Sequence, residues 1–124
     1  MQRKPSRPLN PFDFTGIDWD SEDDPDGNLA HCLRHDVNGR VVAEVLNTEW
    51  VDVETLVDTT EFAIVGPNSK RNIMWTLLFD TSWRNSNLLR PVTGWHSKPP
   101  EIRAWEKETR KKWTGLARKR RRTK

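Results

Sequence analysis

Cysteine occurs once in this 124-residue chain, at Cys32, so no intramolecular disulfide can form. A single thiol fits a reducing compartment and puts the expected location in the cytoplasm. Long apolar runs are missing too. The longest, Ile73 to Phe79, is seven residues, far short of the roughly 20 that cross a bilayer. The opening Met-Gln-Arg-Lys-Pro has no apolar segment behind it, so neither a signal peptide nor membrane attachment is expected. Apolar residues make up only 34% of the chain and charged ones 31%. One small domain with a modest core follows from that length and composition. Seven tryptophans partly compensate, since each can bury roughly 150–250 Å².

Charge is present in quantity and is unevenly spread. Residues 1–97 hold nine Lys/Arg against fifteen Asp/Glu, a net of −6, while residues 98–124 hold twelve against three, a net of +9. A basic block on an acidic body suggests a polyanionic partner for the block and a basic partner for the body. The plainer alternative is a solubilising tail.

Residues 1–11 carry three prolines and three cations and read as a loose arm. Ile17 to Trp19 reads as a short strand, and Ser21 to Gly27 as an acidic turn. Asn28 to His35 reads as a helix whose apolar stripe is Leu29, Cys32 and Leu33, with His31, Arg34 and His35 on the other face. Asn38 is placed to cap a second helix, Gly39 to Leu46, buried through Val41, Val42, Val45 and Leu46. Extended segments are expected at Trp50 to Val57, Phe62 to Val65, Ile73 to Phe79 and Leu88 to Thr93. Gly66 to Ser69 is a turn signal, and Pro91 demands an edge position or a bulge. Pro99, Pro100 and Glu101 suit the first turn of a last helix carrying Ile102 and Trp105 inward. The expected fold is α+β: a small antiparallel sheet with two N-terminal helices and a C-terminal helix packed on one of its faces. The domain spans 12–113, and residues 114–124 are expected to be a disordered basic tail.

Particular residues then follow one another in a suggestive order. Trp19-Asp20 is followed by Asn28, then by Arg34-His35-Asp36-Val37, and Gly66 to Asn72 makes a turn. Arg90-Pro91-Val92-Thr93-Gly94-Trp95 comes next, with Glu101 seven residues after Gly94 and Trp105 four further on. This order resembles the BrnT-type toxins of bacterial type II toxin–antitoxin pairs, over about residues 17–106. Those open with a strand ending in Trp-Asp and a helix bearing Asn and a basic-His-Gly signature. They continue with a Gly/Arg-rich hairpin, a strand written Arg-Ile-Ile-Ser-Ala-Arg and a helix with Glu-Arg-x-x-Tyr. Three positions depart: Asp36 stands for the Gly after His, Trp95 for an Arg, and Ile102 for the Arg after Glu. The resemblance implies a RelE-like fold and a metal-independent endoribonuclease that inhibits translation without a cofactor. It also implies neutralisation by a BrnA-like antitoxin of ribbon-helix-helix type, through which the pair contacts promoter DNA.

Metal-free RNA cleavage needs a base for the 2′-hydroxyl, an acid for the leaving oxygen and positive charge at phosphorus. His supplies the first two near neutrality, and Arg the third. The candidate catalytic residues are therefore His35, Arg90, Glu101 and His31. RNA-binding candidates are Arg34, Lys70, Arg71, Trp95, His96, Arg103 and the run Arg118, Lys119, Arg120, Arg121 and Arg122. Alternatives stay open. The His31/His35 pair could be solvated surface or, with Cys32, a metal site. Arg90 could pair with Glu101 or with an acidic strand face. Trp75, Trp83, Trp95 and Trp105 could be core or rim, Trp95 being the best stacking candidate. A non-catalytic RNA- or partner-binding protein on the same fold competes with the nuclease, as does an accessory protein that shares only the order of elements.

Overall fold

A computed structural model describes residues 7–54 and 60–115. Three helices and five strands follow in the order β1 (Gly16–Ile17), α1 (Asn28–Arg34), α2 (Gly39–Leu46), β2 (Val51–Asp52), β3 (Phe62–Pro67), β4 (Met74–Thr81), β5 (Leu88–His96) and α3 (Pro99–Thr109). They form one sheet in the order β1-β5-β4-β3-β2. The α+β expectation holds, but the sheet is mixed: β1 runs parallel to β5, with Gly16 opposite Leu88 and Ile17 opposite Leu89. A parallel pair needs a long crossover, and the whole chain from α1 to β4 supplies it.

The helices are also not on one face. Side chains alternate across a strand. Phe62 and Ile64 of β3 and Trp75, Leu77 and Phe79 of β4 pack with Cys32, Val37, Val42 and Val45 from α1, α2 and their link. The intervening Val65 and Met74 pack with Ile102, Trp105 and Trp113. So α1 and α2 cover one face and α3 the other. The apolar run in the central strands is continuous because both faces are covered.

Local chemistry explains the elements. Asn38 caps α2, its side chain accepting from the Val41 N–H at 2.9 Å. In α1 only Cys32 of the expected stripe is buried, and Leu33 remains 50% exposed. Seven residues are too few to hold a full stripe against the sheet, and Val37 in the link takes the place beside Cys32. Strand β5 runs three residues beyond the expected end at Thr93, while the described part of β2 is only Val51–Asp52, with 55–59 outside the described residues. Pro91 is not on an edge strand. It sits where the β4–β5 register shifts after Leu78, opposite Phe79, so the bulge absorbs its missing donor. Past Thr109, Arg110 turns left-handed (φ 61°), and the chain doubles back so that Trp113 meets Trp105 edge-on at 5.9 Å. At the other end, Arg7 to Pro11 are not loose: Leu9 is buried, its N–H donates to Asp52 at 2.8 Å, and Arg7 pairs with Glu61. Residues 1–6 and 116–124 lie outside the described residues.

Asp36, between α1 and α2, holds φ at 65°. That is the left-handed region, which glycine enters freely, and it is the position at which the resemblance puts glycine. Asp36→Gly is expected to raise stability by about 0.5–1 kcal/mol, relief of strain outweighing the added chain entropy. Urea unfolding checks this. A loss would mean that the Asp36 side chain itself holds the link.

Candidate nucleic-acid interface

The most connected polar cluster lies where β1 leaves the sheet. Asp18 and Asp20 flank Trp19, so their side chains leave the same side of an extended segment. Asn28, the first residue of α1 and buried, holds that segment in place. Its amide nitrogen donates to Asp18 O at 3.0 Å and to Pro91 O at 2.8 Å, while its oxygen accepts from Asp20 N at 2.8 Å. In return Asp20 accepts the Asn28 backbone N–H. The two carboxylates then receive two arginines. Arg90 donates to Asp20 at 2.7 and 3.0 Å and to Asp18 at 3.3 Å; Arg84 donates to Asp18 at 3.0 Å and to Asp20 at 2.5 Å. Ser82 adds its hydroxyl to Asp18 at 2.7 Å.

Electrostatics follow the geometry. Arg90, the Asn28 N–H and Arg84 together hold the Asp20 carboxyl well below the carboxylate range. Burial works against ionising Asp18, but the Ser82 hydroxyl and the two guanidinium groups outweigh it and lower that carboxyl too. Asp20 in turn pushes Arg90 up. This cluster is a latch that ties β1 and α1 to β5.

The expected catalytic residues are thereby distributed, not assembled. Arg90 is only 18% exposed, and its fork is committed to the two aspartates, not to Glu101. His31 faces Thr93, 3.3 Å from its hydroxyl, and its ring lies 4.9 Å from that of His35, the residue closing α1. His31, Arg34 and Arg90 line one shallow depression of about 550 Å³ together with Asp26 and Asp80; His35 does not line it. Arg34 itself donates to Pro25 O at 2.8 Å. Glu101 belongs to α3, on the opposite face. It accepts from the Lys98 backbone N–H at 2.7 Å, capping the helix start, and also from Thr76 at 2.9 Å and from Trp95 Nε1 at 3.0 Å. His96 stands edge-on to Trp75 at 4.6 Å, on the α2 side. Cys32 turns into the core, where burial pushes its thiol up to about 11. No group of three or more His, Cys, Asp or Glu among the described residues is arranged to hold a metal ion.

No family model, curated protein or solved structure matches this chain.

The cations that remain free lie elsewhere. On α3, Arg103 and Lys107 are four residues apart and share one helix face, and Arg110 follows at the left-handed C-cap. All three are exposed, as is Lys112, and none makes an ion pair with a described residue. Lys98 lies over the Trp95 ring at 5.6 Å. Lys111 and Arg71 are tied to Glu49, whose carboxyl they hold below its ordinary range, Lys111 first. Gly115 lies against the Arg71 carbonyl, so the chain leaves the described residues beside the exposed Lys70–Arg71 turn. The run Arg118 to Arg122 follows in sequence, outside the described residues.

Sequence reasoning reached Lys70, Arg71, Trp95 and Arg103, but not Lys107, Arg110 and Lys112, nor the latch members Asp18, Asp20 and Arg84. The four-residue spacing from Arg103 was a readable signal for Lys107. The Asp-Trp-Asp alternation was one for the latch.

Proposed function

We propose that this chain binds RNA through the cationic surface of α3 and the basic run that follows it, as a non-catalytic relative in kind of the BrnT-type toxins it resembles. The observation that carries the reading is the Arg103–Lys107–Arg110 group: three exposed cations, two on one face of α3 and one at its C-cap, without a carboxylate partner among the described residues. Unpaired cations give up bound counter-ions when phosphates arrive, and that release drives binding without choosing a sequence. The rest of the chain is acidic in sum, net −6 over residues 1–97, so the basic block is where a polyanion first engages. The commitment of Arg90 to Asp18 and Asp20, and of Glu101 to its cap, supports binding without cleavage. A phosphorane needs a free positive fork near the acid and base.

The endoribonuclease toxin is the second reading, favoured by the His31–His35 pair beside Arg34 in the depression that Arg90 also borders. In either reading the resemblance brings a BrnA-like antitoxin as protein partner and promoter DNA through it. None of the helices among the described residues is long and apolar enough to cross a membrane.

Purified full-length protein and an end-labelled RNA of 30 nucleotides, without added metal, separate the two. Binding with intact RNA after prolonged incubation is the expected result. Cleavage abolished by His35→Ala would replace this reading with the nuclease, and absence of binding at 50 mM salt would end both.

A further inference from the structure

A second cavity, of about 280 Å³, opens between α2 and the β3–β4 turn, on the face away from α3. Its rim is rich in hydrogen-bond donors. Asn38 spends its amide oxygen on the α2 cap, and Asn72 spends its own on the Asn68 amide at 2.8 Å. That leaves the NH₂ groups of both exposed side chains with no partner among the described residues. Arg40 uses only Nε on Glu44, and its side chain is 76% exposed. Lys70 is exposed and unpaired. The one carboxylate on the rim, Glu44, is already filled, by Arg40 Nε at 2.8 Å and by the Ser69 N–H at 3.1 Å. Ile73 and Trp75 give the floor apolar character. Two amide donors, two free cationic ends and an apolar floor suit a planar ligand whose edge offers acceptors and which carries a phosphate. Adenine, cytosine and guanine each carry an exocyclic amino donor, whereas uracil carries none and presents two carbonyl oxygens.

We infer that this cleft takes one unpaired nucleotide of the bound RNA, its base carbonyls on Asn38 and Asn72 and its phosphate on Arg40 and Lys70, with uracil preferred. The inference rests on the RNA-binding reading above. Lys70 belongs to the turn against which the outgoing chain at Gly115 packs, so a strand held by the cationic surface passes close to the cleft. Single-stranded bases can be splayed from the strand into such a site.

The test uses full-length protein and fluorescent 12-nucleotide oligouridylate and oligocytidylate, which differ only at ring positions 3 and 4: N–H and carbonyl in uracil, bare nitrogen and amino group in cytosine. The wild type is expected to bind the uridine strand at least about five-fold more tightly, the lower end of what one paired contact to a base edge discriminates. Asn38→Asp and Asn72→Asp each keep the oxygen that the fold uses and replace the donor by an acceptor. Both should bring the ratio to near one while circular dichroism and melting stay unchanged. Ser86→Asp adds the same charge on the β4–β5 loop and should weaken both strands equally. Equal wild-type affinities for the two strands would overturn the cleft and leave RNA binding standing. A ratio that survives both Asn substitutions would also overturn it. Failure to bind either strand at low salt would remove the RNA-binding reading itself, and the cleft with it.

Discussion

Asp20→Ala is expected to lose about 3–5 kcal/mol of folding stability, the usual cost of removing one partner from a buried ion pair. That is a large part of the roughly 5–15 kcal/mol that holds a domain together. The carboxylate it removes is 5% exposed and receives both arginines as well as the Asn28 N–H. Without it, Arg84 and Arg90 share Asp18 alone, and the Asn28 N–H, one of several bonds that seat α1 beside β1, loses its acceptor. Asp20→Ala combined with Arg90→Met should recover much of the loss, because it removes the less exposed of the two guanidinium groups that lost their partner and leaves Arg84 on Asp18. Urea unfolding of the four proteins in that cycle measures the coupling. The pH dependence has a fixed sign. Both carboxyls lie below their ordinary range in the folded protein, so the unfolded chain takes up protons first as the pH falls. The latch contributes fully above about pH 4, the ordinary carboxyl range, and its contribution is lost as acid carries the pH through the lowered native values. Wild type and Asp20→Ala should therefore differ most at neutral pH and converge below it. A variant within about 0.5 kcal/mol of wild type, the range of an inert surface change, would show that the latch holds nothing. Arg90 would then be free to meet a phosphate.

The same cluster explains what could be read in advance. Period alone located α2, because Asn38 and the Val41, Val42, Val45, Leu46 spacing are local signals, and the same holds for the start of α3 at Pro99 and Pro100. It also placed β3 to β5 near their observed positions. Three things depended on distant partners. Whether α3 shares a face with α1 and α2 turns on which alternate residues of β3 and β4 it meets, and a continuous apolar run such as Ile73 to Phe79 carries no mark of face. The parallel pairing of β1 depends on Leu88 and Leu89, more than seventy residues away. Arg90 looked available because an arginine on a strand beside a histidine-bearing helix suits phosphate. Its partners Asp18 and Asp20 reach it only once β1 lies along β5. The acidic strand face weighed as an alternative for Arg90 was the right kind of partner; Glu101, the other alternative, is held on the far side of the sheet by Thr76, Trp95 and its own cap. The cations of α3, by contrast, were open to reading from spacing in part, since Arg103 and Lys107 need no tertiary contact to share a face, while the left-handed turn at Arg110 was not.

That group of cations carries the second large effect. Replacing Arg103, Lys107 and Arg110 together by Gln keeps good helix formers on α3 and removes three exposed positive charges. Two of the three sites lie within α3 and the third at its cap, none in the core that Ile102 and Trp105 form, so the melting temperature should hardly move. RNA binding should change in two linked ways. Each phosphate contact contributes about 0.7 to the slope of log affinity against log salt on a single strand, so three lost contacts should flatten that slope by about 2. Between 50 and 200 mM salt, a wild type making 6–10 such contacts is expected to weaken by roughly 300- to 16,000-fold, and the triple variant by a factor about twenty smaller. At 50 mM the variant should bind at least about a hundred-fold more weakly, since removing three contacts of that kind costs its counter-ion release in full. Truncation after Gly115 removes six further cations and tests the sequence-distal part of the same surface. Should the truncation abolish binding while the triple variant binds as wild type does, the phosphate chain would be read by the basic run alone and α3 would serve only to present it. A triple variant with an unchanged salt slope, in the full-length protein, would mean that these three side chains never meet a phosphate. The helix-face interface would then be withdrawn even though RNA is bound.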